Sequence, residues 1–154
     1  MKNNYIKEIN IINQSPNEIT DFIKYEREAA IHDLIADNFF KIKSNETFGP
    51  LIMDLSLTEG ILKIDLKDDK NIEYSVNRSI SGLKKIMQNY HLACSSYYEN
   101  IKNGTTDKLE EIENHRRKIH NDGAKNLDFI LENDFEIDLN TSRRLFTLLY
   151  SQFI

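Results

Sequence analysis

Between Leu51 and Val76 the chain alternates apolar and polar residues in three short runs, and no other feature restricts its fold so tightly. Leu51, Met53, Leu55 and Leu57 alternate with Ile52, Asp54 and Ser56. Leu62, Ile64 and Leu66 alternate with Lys63 and Asp65, and Ile72, Tyr74 and Val76 repeat the pattern. A period of two puts each apolar set on one face of an extended strand. The connections, Thr58-Glu59-Gly60 and Asp68-Asp69-Lys70-Asn71, are short enough to be turns. Residues 51–57, 61–66 and 72–76 are therefore predicted as adjacent antiparallel strands of a meander. A sheet with one apolar face needs a cover, and helices must supply it.

The flanking sequence supplies them. Tyr5 to Ile12 alternates like a first strand and stops at Gln14-Ser15-Pro16, where Ser15 suits an N-cap and Pro16 a first helical position. Ile19, Phe22, Ile23, Ala30, Ile31, Leu34 and Ile35 then form a helical stripe that ends near Asn38. Leu83, Ile86, Met87, Tyr90, Cys94, Tyr97 and Ile101 keep the three-and-four spacing of a core-facing helix, broken at Asn103-Gly104-Thr105. Thr105 or Thr106 caps a long helix near 107–131, whose stripe reads Leu109, Ile112, Arg116, Ile119, Gly123, Leu127 and Ile130. Phe135-Glu136-Ile137 is a short extended piece, and Asp138 or Asn140 caps a last helix carrying Leu145, Phe146, Leu148, Leu149 and Phe153. The expectation is a single α+β domain over residues 1–154: a small antiparallel β-meander of about three to four strands packed against about four helices.

A length of 154 residues suits one domain with a real core. The net charge of −5 opposes general nucleic-acid binding, which draws on an excess of Lys and Arg. No apolar run resembles a signal peptide or a membrane span, and Cys94, the lone cysteine, excludes an internal disulfide. The simplest expectation is a cytoplasmic protein with no nucleic-acid or membrane partner, homo-oligomerisation being left open. The chain has no Gly-rich phosphate loop, no Gly-x-Ser-x-Gly elbow, no His-Glu-x-x-His and no Glu-x-x-His. Neither a cofactor nor a metal is expected. His91 and Cys94 lie three apart on one helix, but Cys94 falls on the apolar stripe and reads as a small buried hydrophobe.

Four of the six arginines stand in two pairs, Arg116-Arg117 and Arg143-Arg144. The guanidinium fork suits carboxylates and phosphates. Arg116 and Gly123 occupy stripe positions where the period asks for apolar side chains. A buried arginine needs a carboxylate partner or an anionic ligand. His120, one turn on, shares its face. The alternative to a ligand is an internal ion pair with Glu26 or Glu113. If Asn140 is the cap, Arg143 and Arg144 fall in or just past the first turn, where unpaired N–H groups attract anions. Arg144, four residues before Leu148, is expected to turn inward like Arg116, with Arg117 and Arg143 more exposed.

These segments also resemble uncharacterised protein family 0262, a family of small bacterial proteins. The resemblance runs from about Tyr25 to Tyr150. It rests on Tyr25-Glu26-Arg27 with Ala30-Ile31, on Phe48-Gly49-Pro50, and on Tyr90 with Cys94-Ser95-Ser96-Tyr97-Tyr98. It continues through Arg116-Arg117 with His120-Asn121 and Gly123, and ends in Thr141-Ser142-Arg143-Arg144-Leu145-Phe146-Thr147-Leu148. The chain departs from the family's pattern at His115, Asp122 and Ser142, where Gly, Glu and Ala are common. The resemblance implies no particular activity.

Functionally, the arginines point to a non-catalytic binding or interaction protein with an anion site built from Arg116, His120, Asn121, Arg143 and Arg144, answered by Glu26. Its ligand is a carboxylate or phosphate, on a small metabolite or a partner protein. One rival is an enzyme with His120 as general acid or base, Asn121 as a hydrogen-bonding group and the arginines as an anion clamp. The other is a structural or oligomeric protein with internally paired arginines, Tyr97, Tyr98, Tyr150 and Phe153 supplying an aromatic interface.

Overall fold

The computed structural model describes residues 4–12, 20–44, 49–103 and 105–153. The meander forms as the alternation predicts. Strands β3 (Leu51–Thr58), β4 (Ile61–Lys67) and β5 (Glu73–Ser79) pair antiparallel in that order, and β1 (Ile6–Ile11) joins the free edge of β3. The β1–β3 pairing is parallel, which alternation alone does not reveal, so the four-stranded sheet is mixed. A parallel partner needs a crossover, supplied by helix α1 (Asp21–Ala36) and the short strand β2 (Phe40–Ile42). The start expected at Ser15 and Pro16 lies outside the described residues; within them α1 begins at Asp21.

Turn chemistry fixes the register. Thr58 faces Ile61 across a two-residue turn in which Glu59 and Gly60 both have positive φ, 51° and 76°. That is the turn whose twist matches the flanking strands. In the next turn Asp68 is buried, and its Oδ1 accepts the N–H groups of Lys70 and Ile72 at 2.9 and 3.0 Å. Leu51, Met53, Leu55, Leu62, Ile64, Leu66 and Val76 are buried beneath the helices, while Lys63, Lys67, Ser75 and Asn77 are exposed on the opposite face.

The described residues form four α-helices, α1, α2 (Lys84–Asn103), α3 (Thr106–Leu131) and α4 (Leu139–Phe153), with α1 and α4 against the sheet and α3 packed on α2 and α4. Thr105 caps α3 by accepting from the Lys108 N–H. Asp138, not Asn140, caps α4, its carboxylate accepting the Thr141 N–H at 2.8 Å. The extended piece expected at Phe135–Ile137 is strand β6, which pairs antiparallel with β2 in a second small sheet. Phe40 and Phe135 pack there with their rings tilted by 42°, centroids 4.6 Å apart. Helix α4 lies against α1 and α3 and touches β3, and an unbroken run from Leu145 to Ser151 is buried. Four expectations about burial need correction. Ile35, in the last turn of α1, and Ile72, ahead of β5, are exposed rather than on the core faces. Ile101 is half exposed, because the end of α2 runs past the core, so that helix's stripe stops at Cys94 and Tyr97. Tyr150 is fully buried and cannot serve an aromatic interface. Among the described residues no helix is long and apolar enough to cross a membrane.

Gly123 explains its place on the α3 stripe. A Cβ there would lie 2.8 Å from Cδ1 of Phe146, with the rest of the ring edge closer still, and Phe146 is fully buried. The glycine lets α3 and α4 approach to ring-on-backbone contact. In an ordinary helix Gly→Ala gains about 1 kcal/mol. Here Gly123→Ala is expected to cost about 1–3 kcal/mol through overpacking. Urea denaturation measures this, and a stabilised variant would show that the two helices do not meet at this point.

Candidate functional site

The predicted site residues come from helices whose apolar faces are already committed to the core. The apolar period of α3 carries Arg116 inward, where it is 18% exposed. Its Nη1 donates to Glu26 Oε1 of α1 at 3.1 Å, and its Nε and Nη2 form a fork on the Glu113 carboxylate at 3.0 and 3.1 Å. The guanidinium lies over the Tyr97 ring, 4.6 Å from its centroid, and the Tyr98 hydroxyl donates to the same Glu26 oxygen at 2.8 Å. Both candidate partners named from the sequence are thus used at once. Arg116 joins α1, α2 and α3 in one charged network.

The remaining arginines line a cleft of about 160 Å³ beside this network. Its walls are Glu26, Ala29, Ala30 and Asp33 of α1, Tyr90 of α2, Glu113, Arg116, Arg117 and His120 of α3, and Arg143, Arg144 and Thr147 of α4. Five of the six predicted site residues, Glu26, Arg116, His120, Arg143 and Arg144, therefore meet in one place, and Asn121 does not line it. With Asp138 as cap, Arg143 and Arg144 stand in the second turn of α4, too far along for its free N–H groups to share a ligand with them. Arg117 is the exposed member of its pair, at 56%, and reaches Glu113 at 3.6 Å. Arg144 turns toward Asp33, with Nε 3.6 Å from Oδ2, beyond hydrogen-bond range, and that nitrogen is buried without a hydrogen-bond partner. Arg143 is not the outward-facing residue expected; like Arg144 it is half-buried and lines the cleft.

The cleft is short of negative charge. Four arginines face three carboxylates, and two of those, Glu26 and Glu113, are engaged by Arg116. Among the described residues Arg143 has no carboxylate partner. Burial pushes its guanidinium below the ordinary arginine value, and the neighbouring Arg144 and Arg117 add to the effect. Its one side-chain hydrogen-bonding contact among the described residues is from Nε to Nδ1 of His120, at 3.5 Å.

His120 is held from the other side. Its Nε2 lies 2.8 Å from Thr147 Oγ1, and the Thr147 hydroxyl donates to the Arg143 carbonyl at 3.2 Å. A hydroxyl has a single proton to give. The network therefore assigns the proton of the imidazole to Nε2 and leaves the Nδ1 lone pair facing Arg143. Tyr90 and Phe146 pack on the ring at centroid distances of 5.2 and 5.5 Å. Burial first, and then Arg143, Arg116 and Arg144, lower the imidazole from 6.5 to about 4. At neutral pH His120 is an uncharged imidazole that donates through Nε2 and presents an acceptor at Nδ1.

Thr147 and Asp33 were not singled out in the sequence. Thr147 lies four residues after Arg143, and Asp33 seven after Glu26, so helical spacing alone places each on the face of a predicted residue. The thiol of Cys94 is fully buried, and burial raises its pKa, as the stripe suggested. His91 bonds Tyr150 through Nδ1 at 2.8 Å.

Two measurements check this geometry. Arg116→Ala strands the Glu26 carboxylate, 16% exposed, and is expected to cost about 3 kcal/mol in chemical denaturation, the lower end for a broken buried pair. His120 generates a pH signature. Its folded pKa lies below its unfolded value, so as pH falls the unfolded chain takes up the proton first. Its contribution is full above about 6.5, declines as pH falls toward about 4, and is flat below. That lowering corresponds to on the order of 3 kcal/mol. Denaturation of wild type and His120→Gln between these pH values should show a shallower slope in the variant; parallel slopes would contradict a neutral buried imidazole.

The sequence comparisons identify the kinship. Residues 3–153 match the model of an uncharacterised protein family, UPF0262. A UPF0262 protein of Brucella anthropi is 35% identical over 138 residues, covering 89% of this chain and 86% of its own. One from a Bradyrhizobium species is 37% identical over 128 residues, 82% of this chain and 76% of its own. One from Agrobacterium fabrum is 35% identical over 140 residues, 90% of this chain and 88% of its own. No solved structure matches. With a family model spanning nearly the whole chain and relatives aligned along most of their own length, the protein belongs to the uncharacterised protein family UPF0262.

Proposed function

We propose that this chain is a non-catalytic binding protein of the cytoplasm whose helix-walled cleft takes a small anion, the carboxylate or phosphate of a metabolite or partner protein. The observation that carries the reading is Arg143: a half-buried guanidinium set beside Arg144 and Arg117 with no carboxylate of its own among the described residues. Two adjacent arginines and a third across the cleft offer a planar, multidentate grip on an oxyanion. Arg116, held by Glu26 and Glu113, supports the wall rather than the ligand. Internal pairing alone accounts for Arg116 but leaves the Arg143 charge unanswered.

The chemistry of the cleft favours binding over catalysis. A general acid or base works best with a pKa near the working pH, and His120, lowered to about 4, is poorly matched to either role. The Thr147 hydroxyl is bound to His120 and to the Arg143 carbonyl, and Cys94 is not among the cleft's lining residues.

Arg143→Ala separates the readings. Without ligand it is expected to leave stability unchanged or raise it by up to about 1 kcal/mol, because removing a like charge relieves repulsion. Inorganic phosphate and succinate, tested separately by thermal shift, should raise the melting temperature of the wild type with at least one of the two and of Arg143→Ala with neither. A variant that loses stability as Arg116→Ala does, in a protein that neither anion stabilises, would sink the proposal.

A further inference from the structure

Resting on that reading, we infer that the cleft selects an oxyanion carrying its own hydrogen-bond donor, as hydrogen phosphate does, over one that offers only lone pairs, as sulfate does. The inference stands on the acceptor that the helices place among the arginines. The Thr147 hydroxyl occupies Nε2–H of His120, so the imidazole turns a lone pair at Nδ1 toward the guanidinium of Arg143. The 3.5 Å separation from Arg143 Nε is long for a hydrogen bond, so the lone pair is weakly satisfied in the unliganded protein.

Every element around the ring leaves this acceptor in place. On α3, Glu113 is spent on Arg116 and Arg117. On α1, Glu26 is spent on Arg116 and Tyr98, and Asp33, 51% exposed, is a second acceptor at the rim. On α2, Tyr90 packs its ring on the imidazole, and burial raises its hydroxyl far above the ordinary tyrosine value. On α4, Arg143 and Arg144 supply donors only. An anion drawn in by the arginines thus meets donors on one side and the His120 lone pair on the other. An oxygen without a proton faces that lone pair repulsively. A protonated oxygen donates to it while the charged oxygens remain on the guanidinium groups. A site built around a buried acceptor disfavours the analogue that cannot donate, because the acceptor then keeps only the long contact with Arg143 Nε.

The test is calorimetric titration of the whole protein at pH 7 with inorganic phosphate, sulfate and arsenate, the last keeping a hydroxyl as phosphate does. Phosphate and arsenate should bind alike, and about tenfold to a hundredfold tighter than sulfate, the ratio expected for one buried acceptor left unpaired. His120→Phe, which keeps an aromatic ring against Tyr90 and Phe146, should bring phosphate down to the level of sulfate without weakening sulfate. Equal binding of phosphate and sulfate by the wild type, or an unchanged ratio in the variant, would overturn the selectivity while leaving the anion site standing. Binding of none of the three would overturn this inference, and with no stabilisation by succinate either the anion site would fall with it. Should His120→Phe fail to fold, the wild-type ratios decide, with arsenate grouping with sulfate as the refuting result.

Discussion

The structure depends on burying α4 from nearly every side without leaving its hydroxyls unpaired. Thr141, Ser142, Thr147 and Ser151 are all buried in that helix, and each sends its side chain to a partner. Thr141 Oγ1 accepts the Phe39 N–H at 2.9 Å, just before β2, and Ser142 Oγ donates to the Ala124 carbonyl of α3 at 2.6 Å. Thr147 meets His120 of α3, and Ser151 Oγ accepts from Arg27 of α1 at 2.9 Å. An unpaired buried hydroxyl costs about 1–3 kcal/mol. These contacts therefore specify how α4 may lie, while Phe146, Leu148, Leu149 and Tyr150 supply the apolar burial that holds it there.

The cleft follows from that arrangement. Phe146 can rest on α3 because position 123 has no Cβ. The same contact sets α4 at a height and rotation from which Arg143 and Thr147 reach His120, and Arg144 reaches toward Asp33. Arg116 is fixed independently, through Glu26 and Glu113. A rigid charged network thus forms one wall, and a helix whose rotation is specified by hydrogen bonds forms the other. Preorganisation of this kind lowers the entropic cost of gripping a small ligand.

Much of this was legible in the sequence, for identifiable reasons. Period-two alternation and two tight turns determine the meander, and they predict its three strands with only small shifts at the ends. Arg116 breaks an apolar stripe, and a buried arginine must be paired, so its position and both of its partners could be named. The parallel docking of β1 on β3 could not, because a strand's alternation is the same whichever direction its neighbour runs. Nor could strand β2, whose three residues are too few to show a period. The α4 hydroxyls were opaque for another reason. Thr141 and Ser142, just after Asp138 and Asn140, look like capping residues, and only the tertiary fold shows them fully enclosed.

The same distinction separates the neighbours of the two arginine pairs. His115 and Asp122 are exposed on α3, so a change of side chain there meets water. Ser142 is fully buried, and a hydroxyl in an apolar contact ought to destabilise. It does not have to, because the Ala124 carbonyl lies within reach across the α3–α4 crossing. A helix carbonyl already bonded within its helix keeps a second lone pair, and the serine uses it. The crossing made tight by Gly123 is therefore also what makes a polar residue tolerable at position 142. Close packing and polar pairing at this junction are one constraint, and the orientation of Arg143, the next residue on α4, depends on it.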